Sequence, residues 1–489
     1  MGGTPGMVNS DAISFFRGAQ LRTVTLSDRL SSVIQPFIQE VLDQLSALGN
    51  FGQAILSAAQ NHQPIVEQFF ELNPNQVETS FSLQPQCLFP KANPILALEY
   101  RNARYPAFLV PAGSWTINDE ATLPDLQHLL YLCGQSKLSY DQICDQVAAP
   151  MVALLDHWIA SRIVKPQSLS PYTPPPAGVF RLQHATLLYR TRTTGILIDP
   201  HLHSSYGLPQ LEQDVTRAKL EGCVDAILIS HSHYDHWHCP TLMMFDRGTP
   251  IVVPKVPRGS ITCDDMQARI SSLGFKQVIA VDWNSEPIQI GDMEVYVLPF
   301  YGEQPLVPGY DQPKYPELRN WGNTYLIRYE DYSSWCLVDS GMEPAASMIE
   351  VAQQVTQRFG SVDQIISNFQ GLSYNSIGRD LSRWGVDIVA NLLSNPQILA
   401  LTNTEAGSYL ATVGPREVAE ICAIVGAKSC LPYADSGAEL GQPSIHDGIL
   451  IPQVEAELRR LGCPTQVIPW AIGDGYLPSL QLCKHFFND

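Results

Sequence analysis

The sequence predicts an α/β sandwich preceded by a mainly helical block. Short apolar strands alternate with amphipathic helices after about residue 179, and apolar residues recur at helical spacings before residue 164. A proline-rich stretch separates the two regions, and 489 residues are too many for one ordinary core. We therefore expect an N-terminal docking or dimerisation domain over residues 1–164, a linker over 165–178 and the sandwich over 179–489.

The N-terminal block shows helical periodicity at both ends. Apolar residues lie three and four apart in LSDRLSSVIQPFIQEVLDQL and GQAILSAAQ, and Pro36 should kink or divide the first helix. A proline-rich, strand-like segment follows. The block closes with a predicted helix, a turn at Gly134, a helix from SYDQICDQV and a helix through LLDHWIASRIV, which together resemble a winged-helix module. Such an extension more commonly serves packing and dimerisation, and docking or recognition is the alternative role. A homodimer is compatible with the first role.

The linker and the sandwich follow from composition and strand pattern. Five prolines between Lys165 and Gly178 argue against regular structure there. Beyond them, VFRLQHATLLYRT and TGILIDP predict a hairpin. Further apolar strands are AILIS, IVVP, QVIAVD, EVYVLPF, NTYLIRYED, WCLVD, QIISN and CLPYA. Amphipathic helices lie between these strands, one of them beginning with Pro415 in its first turn.

Composition excludes several classes of function. The formal net charge of -18 argues against nonspecific binding to nucleic acid or to an anionic membrane. No apolar run is long enough to span a bilayer, and the first residues lack the charged and apolar regions of a secretory signal. Eleven scattered cysteines without a CxxC pair suit reduced thiols in the cytoplasm. There is also no P-loop and no strand-linked GxGxxG, so no nucleotide cofactor is indicated.

Four metal-binding side chains fall within six residues after the strand AILIS: His231, His233, Asp235 and His236. Histidines two apart at a strand end point to one side, and the next two residues are aimed differently. One loop can thus offer two ligands to one metal ion and two to a neighbouring ion. The alternative interpretation is a surface histidine cluster.

This H-x-H-x-D-H pattern resembles the defining motif of the metallo-β-lactamase superfamily, and the resemblance covers roughly Val179 to Ile451. It implies an αββα sandwich with a dinuclear metal site in a catalytic domain. Asp199, at the end of TGILIDP, then stands at the usual supporting position and should accept the free N–H of a ligand histidine. Asp339, at the end of WCLVD, corresponds to the bridging aspartate. A turn-forming role is the alternative for both aspartates.

Two expected histidines of the superfamily are missing. No histidine occurs between His238 and His446, and Glu303 in YGEQP stands after EVYVLPF where a third histidine is usual. The strand that often supplies the last histidine reads GAKSCLPYAD, with Ala434 in its place, so one coordination position is open. The resemblance therefore implies two metal ions with these ligands: His231, His233 and Glu303 on one, Asp235 and His236 on the other, and Asp339 between them. A solvated loop glutamate is the alternative for Glu303.

The ligand change indicates the chemistry. Added carboxylate hardens the site and favours iron, whereas an imidazole-rich site suits zinc. The pattern resembles a small branch of the superfamily, the dinuclear iron β-hydroxylase of the chloramphenicol pathway and its relatives, which also carry an N-terminal domain. That branch implies an iron oxygenase that uses O2 to hydroxylate an amino acid bound to a carrier protein, with Asp235 and Glu303 at the reaction centre.

Two other functions remain open. A zinc or manganese hydrolase of a lactone, ester or phosphodiester would use the metals to activate a bridging water oriented by Asp235. A binding protein with a degenerate site is the third, although the intact motif argues against it. Several further residues lie near the motif or the last strand. His201, His203 and His238 are bystanders or supporting residues, with His201 and Tyr433 the preferred supporting residues. Tyr433 and Trp237 line the pocket or pack in the core, and His446 is the candidate for a displaced ligand.

Overall fold

A computed structural model describes most of the chain. The described residues are 11–16, 18–48, 51–72, 82–105, 108–110, 112–118, 122–167, 174–203, 215–233, 235–261, 263–302, 319–343, 345–372, 410–434, 445–477 and 481–483.

The N-terminal block contains helices and strands. Its helices are α1 (Leu26–Leu48), α2 (Phe51–Asn61), α3 (Gln63–Phe69), α4 (Pro85–Leu88), α5 (Thr122–Gln135), α6 (Tyr140–Cys144) and α7 (Ala149–Ala160). Its strands are β1 (Ala12–Phe15), β2 (Ala19–Thr25), β3 (Phe70–Glu71), β4 (Ser82–Leu83), β5 (Ile95–Asn102), β6 (Gly113–Thr116) and β7 (Val164–Gln167). Strands β2, β5 and β6 form one antiparallel sheet, and β1 pairs with β7.

The structure differs from the sequence predictions for this block at three places. Helix α1 continues through Pro36, so this proline does not divide it. Gly134 lies inside α5, where a Cβ would meet the side chain of Met244, the residue that follows the helix Cys239–Met243, so this glycine allows α5 to pack closely against the end of that helix. The chain turns instead at Ser136, which has a φ of 54°. After the three predicted helices, β7 pairs with the distant β1, so the described residues do not form the hairpin of a winged helix.

The linker is also shorter than the sequence suggested. Residues 165–167 belong to β7, where Pro166 lies opposite Ile13. A proline is tolerated there because a strand of a two-stranded sheet has one free edge. Gly178 already begins the next strand. Residues 168–173 of the expected linker lie outside the described part of the chain.

The second block is built on two large sheets. The strands of this block are β8 (Gly178–Arg181), β9 (Leu187–Arg190), β10 (Gly195–Ile198), β11 (Ala226–Leu228), β12 (Ile251–Pro254), β13 (Val278–Val281), β14 (Ile288–Ile290), β15 (Met293–Pro299), β16 (Asn323–Tyr329), β17 (Tyr332–Val338), β18 (Met342–Glu343), β19 (Ala346–Ser347), β20 (Gln364–Ser367), β21 (Ser429–Pro432), β22 (Gln466–Val467), β23 (Gly475–Leu477) and β24 (Gln481–Cys483). Its helices are a 3-10 helix (Arg217–Leu220), α8 (Cys239–Met243), α9 (Met266–Ser272), α10 (Met348–Phe359), α11 (Pro415–Val425) and α12 (Ile445–Leu461). The first sheet has the order β13-β12-β11-β10-β9-β8-β23-β24, and the second has the order β14-β15-β16-β17-β20-β21-β22.

These elements form the expected αββα sandwich. Side chains of both sheets, such as Ile196 and Tyr325, share one buried cluster between the layers. Helices α10 and α11 and part of α12 cover the outer face of the second sheet. Strands β8, β10, β11 and β12 are buried at every residue, as expected for strands covered on both faces.

The N-terminal block completes the outer layer of the first sheet. Residues of α5 and α7 belong to the same buried cluster as residues of α8, α9, β10 and β12. Leu21 of β2 donates its N–H to the His203 carbonyl at 2.7 Å and accepts from His238 Nε2 at 2.9 Å. Gln127 of α5 donates to the Phe245 carbonyl at 3.0 Å. The two blocks are therefore joined by a continuous core and by buried hydrogen bonds.

None of the helices in the described ranges is both long enough and apolar enough to cross a membrane.

Candidate metal centre

The candidate site residues follow parallel strands that end at one edge of the sandwich. Asp199 follows β10 and His231 lies three residues after β11, two strands that run parallel in the first sheet. Asp339 follows β17 and Tyr433 follows β21, and both of these strands run parallel to β20 in the second sheet. Ligand sites form outside the carboxyl ends of parallel strands. A hydrogen bond of 2.7 Å from the Asn323 N–H to the Ser230 carbonyl joins the two sheets at this edge.

Three imidazole rings of the motif gather in the loop after β11. The ring centroid of His231 lies 4.2 Å from that of His236 and 4.7 Å from that of His233. His231 and His236 are fully buried, whereas His233 is half-buried. The loop turns back on itself, since the His236 N–H donates to the His233 carbonyl at 3.0 Å. The motif thus produces a compact, buried donor cluster with one side facing outwards.

Asp199 orients this cluster from its buried side. Its Oδ2 accepts from His236 Nδ1 at 2.8 Å and from the Ser230 hydroxyl at 2.5 Å, and its Oδ1 accepts from the Ser230 N–H at 2.7 Å. Asp199 is fully buried, with a left-handed φ of 43°. A carboxylate that binds Nδ1–H fixes the tautomer of the ring and leaves Nε2 as the donor atom for a metal. The structure thus places on His236 the supporting hydrogen bond expected of Asp199.

Asp339 faces His236 from the second sheet. Its Oδ2 lies 3.0 Å from His236 Nε2, and its Oδ1 accepts from Asn368 Nδ2 at 2.9 Å. The preceding Val338 has a φ of 55°, rare for a β-branched residue, at an irregularity in the pairing of β17 with β20. This local strain turns the carboxylate towards the histidines. Asn368 is the last residue of the predicted strand QIISN, and it was not recognised from the sequence as a site residue.

Asp235 contacts a second missed residue, His184. The carboxylate Oδ2 of Asp235 lies 3.3 Å from His184 Nε2, and the His184 ring centroid lies 5.9 Å from that of His236. His184 stands in the turn between β8 and β9. The sequence predicted a hairpin formed by VFRLQHATLLYRT and TGILIDP, with no turn inside the first of these segments, so His184 was not among the candidate residues.

Burial and neighbouring charges set the protonation of the cluster. Burial lowers the pKa of His231, and the adjacent His236 and His233 lower it further, so this pKa lies well below its usual range. Burial also lowers the pKa of His236, but Asp339 and Asp235 outweigh it and hold that pKa well above its usual range. Burial raises the pKa of Asp235, but His236 and His184 lower it to well below its usual range. Without metal, His236 therefore carries the proton that a cation would replace.

Two predicted ligands cannot be placed. Glu303 lies outside the described residues, which end at Gly302 on that side. Gly302 has a φ of 97°, and its N–H donates to Glu343 Oε2 at 3.4 Å. His446 is within α12, but its side chain is outside the described part of the chain.

The remaining candidates lie behind the centre or beside it. Tyr433 is buried, and its hydroxyl donates to Asp199 Oδ2 at 3.4 Å, which supports its predicted place next to the site. His201 packs against His238 at a ring-centroid distance of 5.1 Å, and its N–H donates to the Thr186 hydroxyl at 3.0 Å. These contacts place His201 towards the junction with the N-terminal block. Trp237 packs against the core cluster of that junction.

The donors can hold metal ions. Two groups offer ligand atoms that all lie within 4.8 Å of one another: His231, His236 and Asp339, and His184, Asp235 and His236. A mixture of imidazole and carboxylate suits zinc, manganese and iron. The geometry therefore offers two adjacent groups of possible metal ligands, and His236 belongs to both.

A curated relative has similar sequence over part of the chain. The 4-amino-L-phenylalanyl-[CmlP-peptidyl-carrier-protein] 3-hydroxylase of Streptomyces venezuelae is 30% identical over 191 residues. The match spans 39% of this chain and 33% of the length of that protein. No family model matches the chain.

Solved structures show the same architecture. The crystal structure of CmlA, a diiron β-hydroxylase from Streptomyces venezuelae, matches with a TM-score of 0.55 and 14% identity, over 94% of this chain and 98% of that one. A point mutant of the CmlA β-hydroxylase matches equally, with a TM-score of 0.55 and 15% identity, over 93% of this chain and 98% of that one. The chain has the fold of this β-hydroxylase. The match extends over the N-terminal block as well as the metallo-β-lactamase sandwich that the sequence predicted.

Proposed function

We propose that this protein is a dinuclear non-haem iron oxygenase that hydroxylates carbon 3 of an amino acid carried by a peptidyl carrier protein. The observation that carries the proposal is the buried cluster of histidines and aspartates at the strand ends of a chain that is 30% identical, over 191 residues, to a hydroxylase of such a substrate. The diiron protein of the same fold supports the choice of metal.

The proposed ligands divide between the two sheets. His231, His233 and Glu303 hold one ion, Asp235 and His236 hold the other, and Asp339 lies between them. When bound, a pair of iron ions supplies the activation of dioxygen that side chains cannot perform. Three carboxylates among the ligands favour iron over zinc because oxygen donors are harder than imidazole.

The other residues hold this arrangement in place. Asp199 fixes the ring of His236, and Asn368 fixes the carboxylate of Asp339. Burial of His231 and His236 excludes water from the inner side, whereas the half-buried His233 and Asp235 mark the side from which a substrate approaches. In the overall reaction one oxygen atom enters a C–H bond and the other leaves as water, so an external reductant supplies two electrons and two protons.

The environment and partners are part of the same proposal. The ten cysteines whose side chains are described are free thiols, which supports a reducing compartment such as the cytoplasm. A carrier protein is the proposed partner, and the homodimer stays a prediction.

The test combines metal analysis with turnover. The full chain, produced in iron-rich and in zinc-rich medium, is analysed for metal content and for near-ultraviolet absorption of a ferric pair. The iron-loaded protein is then reduced and mixed with dioxygen and an aminoacyl carrier protein. We expect about two iron ions per chain, oxygen consumption, and a product heavier by one oxygen atom in mass spectrometry. Tight binding of zinc alone, with no oxygen consumption by reduced iron-loaded protein, would instead identify a hydrolase.

A further inference from the structure

The second metal ion of the proposed centre is short of one imidazole. Its ligands from the motif are Asp235 and His236, and Asp339 is shared with the first ion. The residue in the place of the superfamily's last histidine is Ala434, which is buried and cannot ligate. Tetrahedral sites for such metals use four donors and octahedral sites use six, so a further side chain is expected in this region.

His184 occupies the right region. It reaches the cluster from the β8–β9 turn of the first sheet, whereas Ala434 follows β21 of the second sheet. Its side chain is 4% exposed, and its Nε2 lies 3.3 Å from Asp235 Oδ2. One ligand atom each of His184, Asp235 and His236 lie within 4.8 Å of one another.

The separations between donor atoms match the edges of a coordination polyhedron. With metal–ligand bonds of about 2.1 Å, donors are about 3.0 Å apart at a right angle and about 3.4 Å apart at a tetrahedral angle. Asp235 Oδ2 lies 3.3 Å from His184 Nε2 and 3.8 Å from His236 Nε2, and His236 Nε2 lies 3.0 Å from Asp339 Oδ2. The first and the third of these separations are about the length of one edge, and the second is longer, as for donors at an angle wider than tetrahedral.

We propose that His184 is a protein ligand of the second metal ion, bonding through Nε2. The imidazole that other members of the superfamily take from the last strand is supplied here by a hairpin turn of the opposite sheet. The inference rests on the metal centre of the proposed function, but it holds whether that centre oxygenates or hydrolyses.

The discriminating variant is His184→Gln. A glutamine amide N–H can still donate to Asp235, so the variant keeps a positioning hydrogen bond and removes the imidazole ligand. His128→Gln is the matched control, since His128 is a half-buried histidine on α5 in the N-terminal block. Apo proteins are loaded anaerobically with ferrous iron or with cobalt(II), and the bound metal is counted after gel filtration. Thermal unfolding of each apo protein shows whether it is folded.

We expect two ions per chain in the wild type and in His128→Gln, and one ion in His184→Gln. The second ion should bind His184→Gln at least about 100-fold more weakly. Two ions with unchanged affinities in His184→Gln would overturn the inference and leave His184 as a residue that only positions Asp235. If the wild type itself binds no metal, the proposed function fails instead.

A crystal structure of the metal-loaded wild type tests the same bond if the variant does not fold. Anomalous scattering locates the ions, and a distance of about 2.0–2.3 Å between His184 Nε2 and the second ion supports the inference. A distance too long for a bond would refute it.

Discussion

The Asp199→Asn variant tests whether the Asp199 carboxylate orients the residues of the candidate metal centre. The buried carboxylate accepts three hydrogen bonds of 2.5–2.8 Å from Ser230 and His236. In the variant one oxygen becomes an amide nitrogen that cannot accept, so either Ser230 or His236 loses its acceptor. Because hydrogen bonds to charged groups contribute about 1.5–3 kcal/mol each, we expect the apo protein to lose roughly 2–4 kcal/mol of unfolding free energy.

Metal binding should respond more than the fold does. The His236 ring loses the partner that fixes its tautomer, and loss of such a partner typically weakens metal affinity by about 10–100-fold. Stoichiometry should stay at two ions when metal is saturating, because every ligand remains. Urea unfolding of the apo protein and competition titration with a chelator measure the two effects. The control is Asp225→Asn, where an exposed aspartate accepts from the Gly195 N–H at 2.7 Å. Wild-type metal affinity in Asp199→Asn would refute the orienting role.

Three further predictions concern the ligands and their surroundings. Glu303→Ala should bind about one metal ion fewer per chain, as measured by elemental analysis, and full occupancy would show that the ligand has been misplaced. Asn368→Leu should weaken metal binding by about 10-fold without changing the number of ions, because Asp339 loses the donor on Oδ1; an unchanged affinity in a chelator titration would contradict this. Glu343 has its pKa raised to about 7 by burial, despite the neighbouring Arg319. A raised carboxyl pKa contributes stability that is present below about pH 4.5 and is lost as the pH rises to about 7, so wild-type stability should fall by roughly 3 kcal/mol relative to Glu343→Gln across that window. The check is the free energy of urea unfolding of both proteins across that pH window. If the difference between wild type and Glu343→Gln stays constant, the raised pKa of Glu343 is refuted.

The motif could be predicted from sequence because its geometry is local. The residue types and the spacing of His231 and His233 after an apolar strand are features of one short segment of the sequence. The same holds for Asp199 and Asp339, each of which directly follows an apolar strand. The parallel pairing of these strands then brings their ends together, a consequence of the α/β pattern and not of any single residue.

The residues that were missed depend on contacts between distant segments. His184 lies 51 positions from Asp235, and only the turn between β8 and β9 turns its ring towards the site. Strands β1 and β2 pair with β7 and β5, far along the chain, so their local sequence gives no signal of a partner. Gly134 was misread for the same reason, since its close neighbour Met244 is remote in sequence. Strands and turns that depend on contacts with segments remote in sequence could therefore not be predicted from local sequence patterns.

The continuous core between the N-terminal block and the first sheet has a consequence for protein engineering. A fragment beginning at residue 179 would expose the apolar face of α8 that α5 now covers, and it would leave His238 Nε2 without the Leu21 carbonyl. The part of the chain that carries the metal motif therefore does not form an independent folding unit. Chimaeras that exchange the N-terminal block between related proteins will need matched residues on α8 as well, or the product will aggregate.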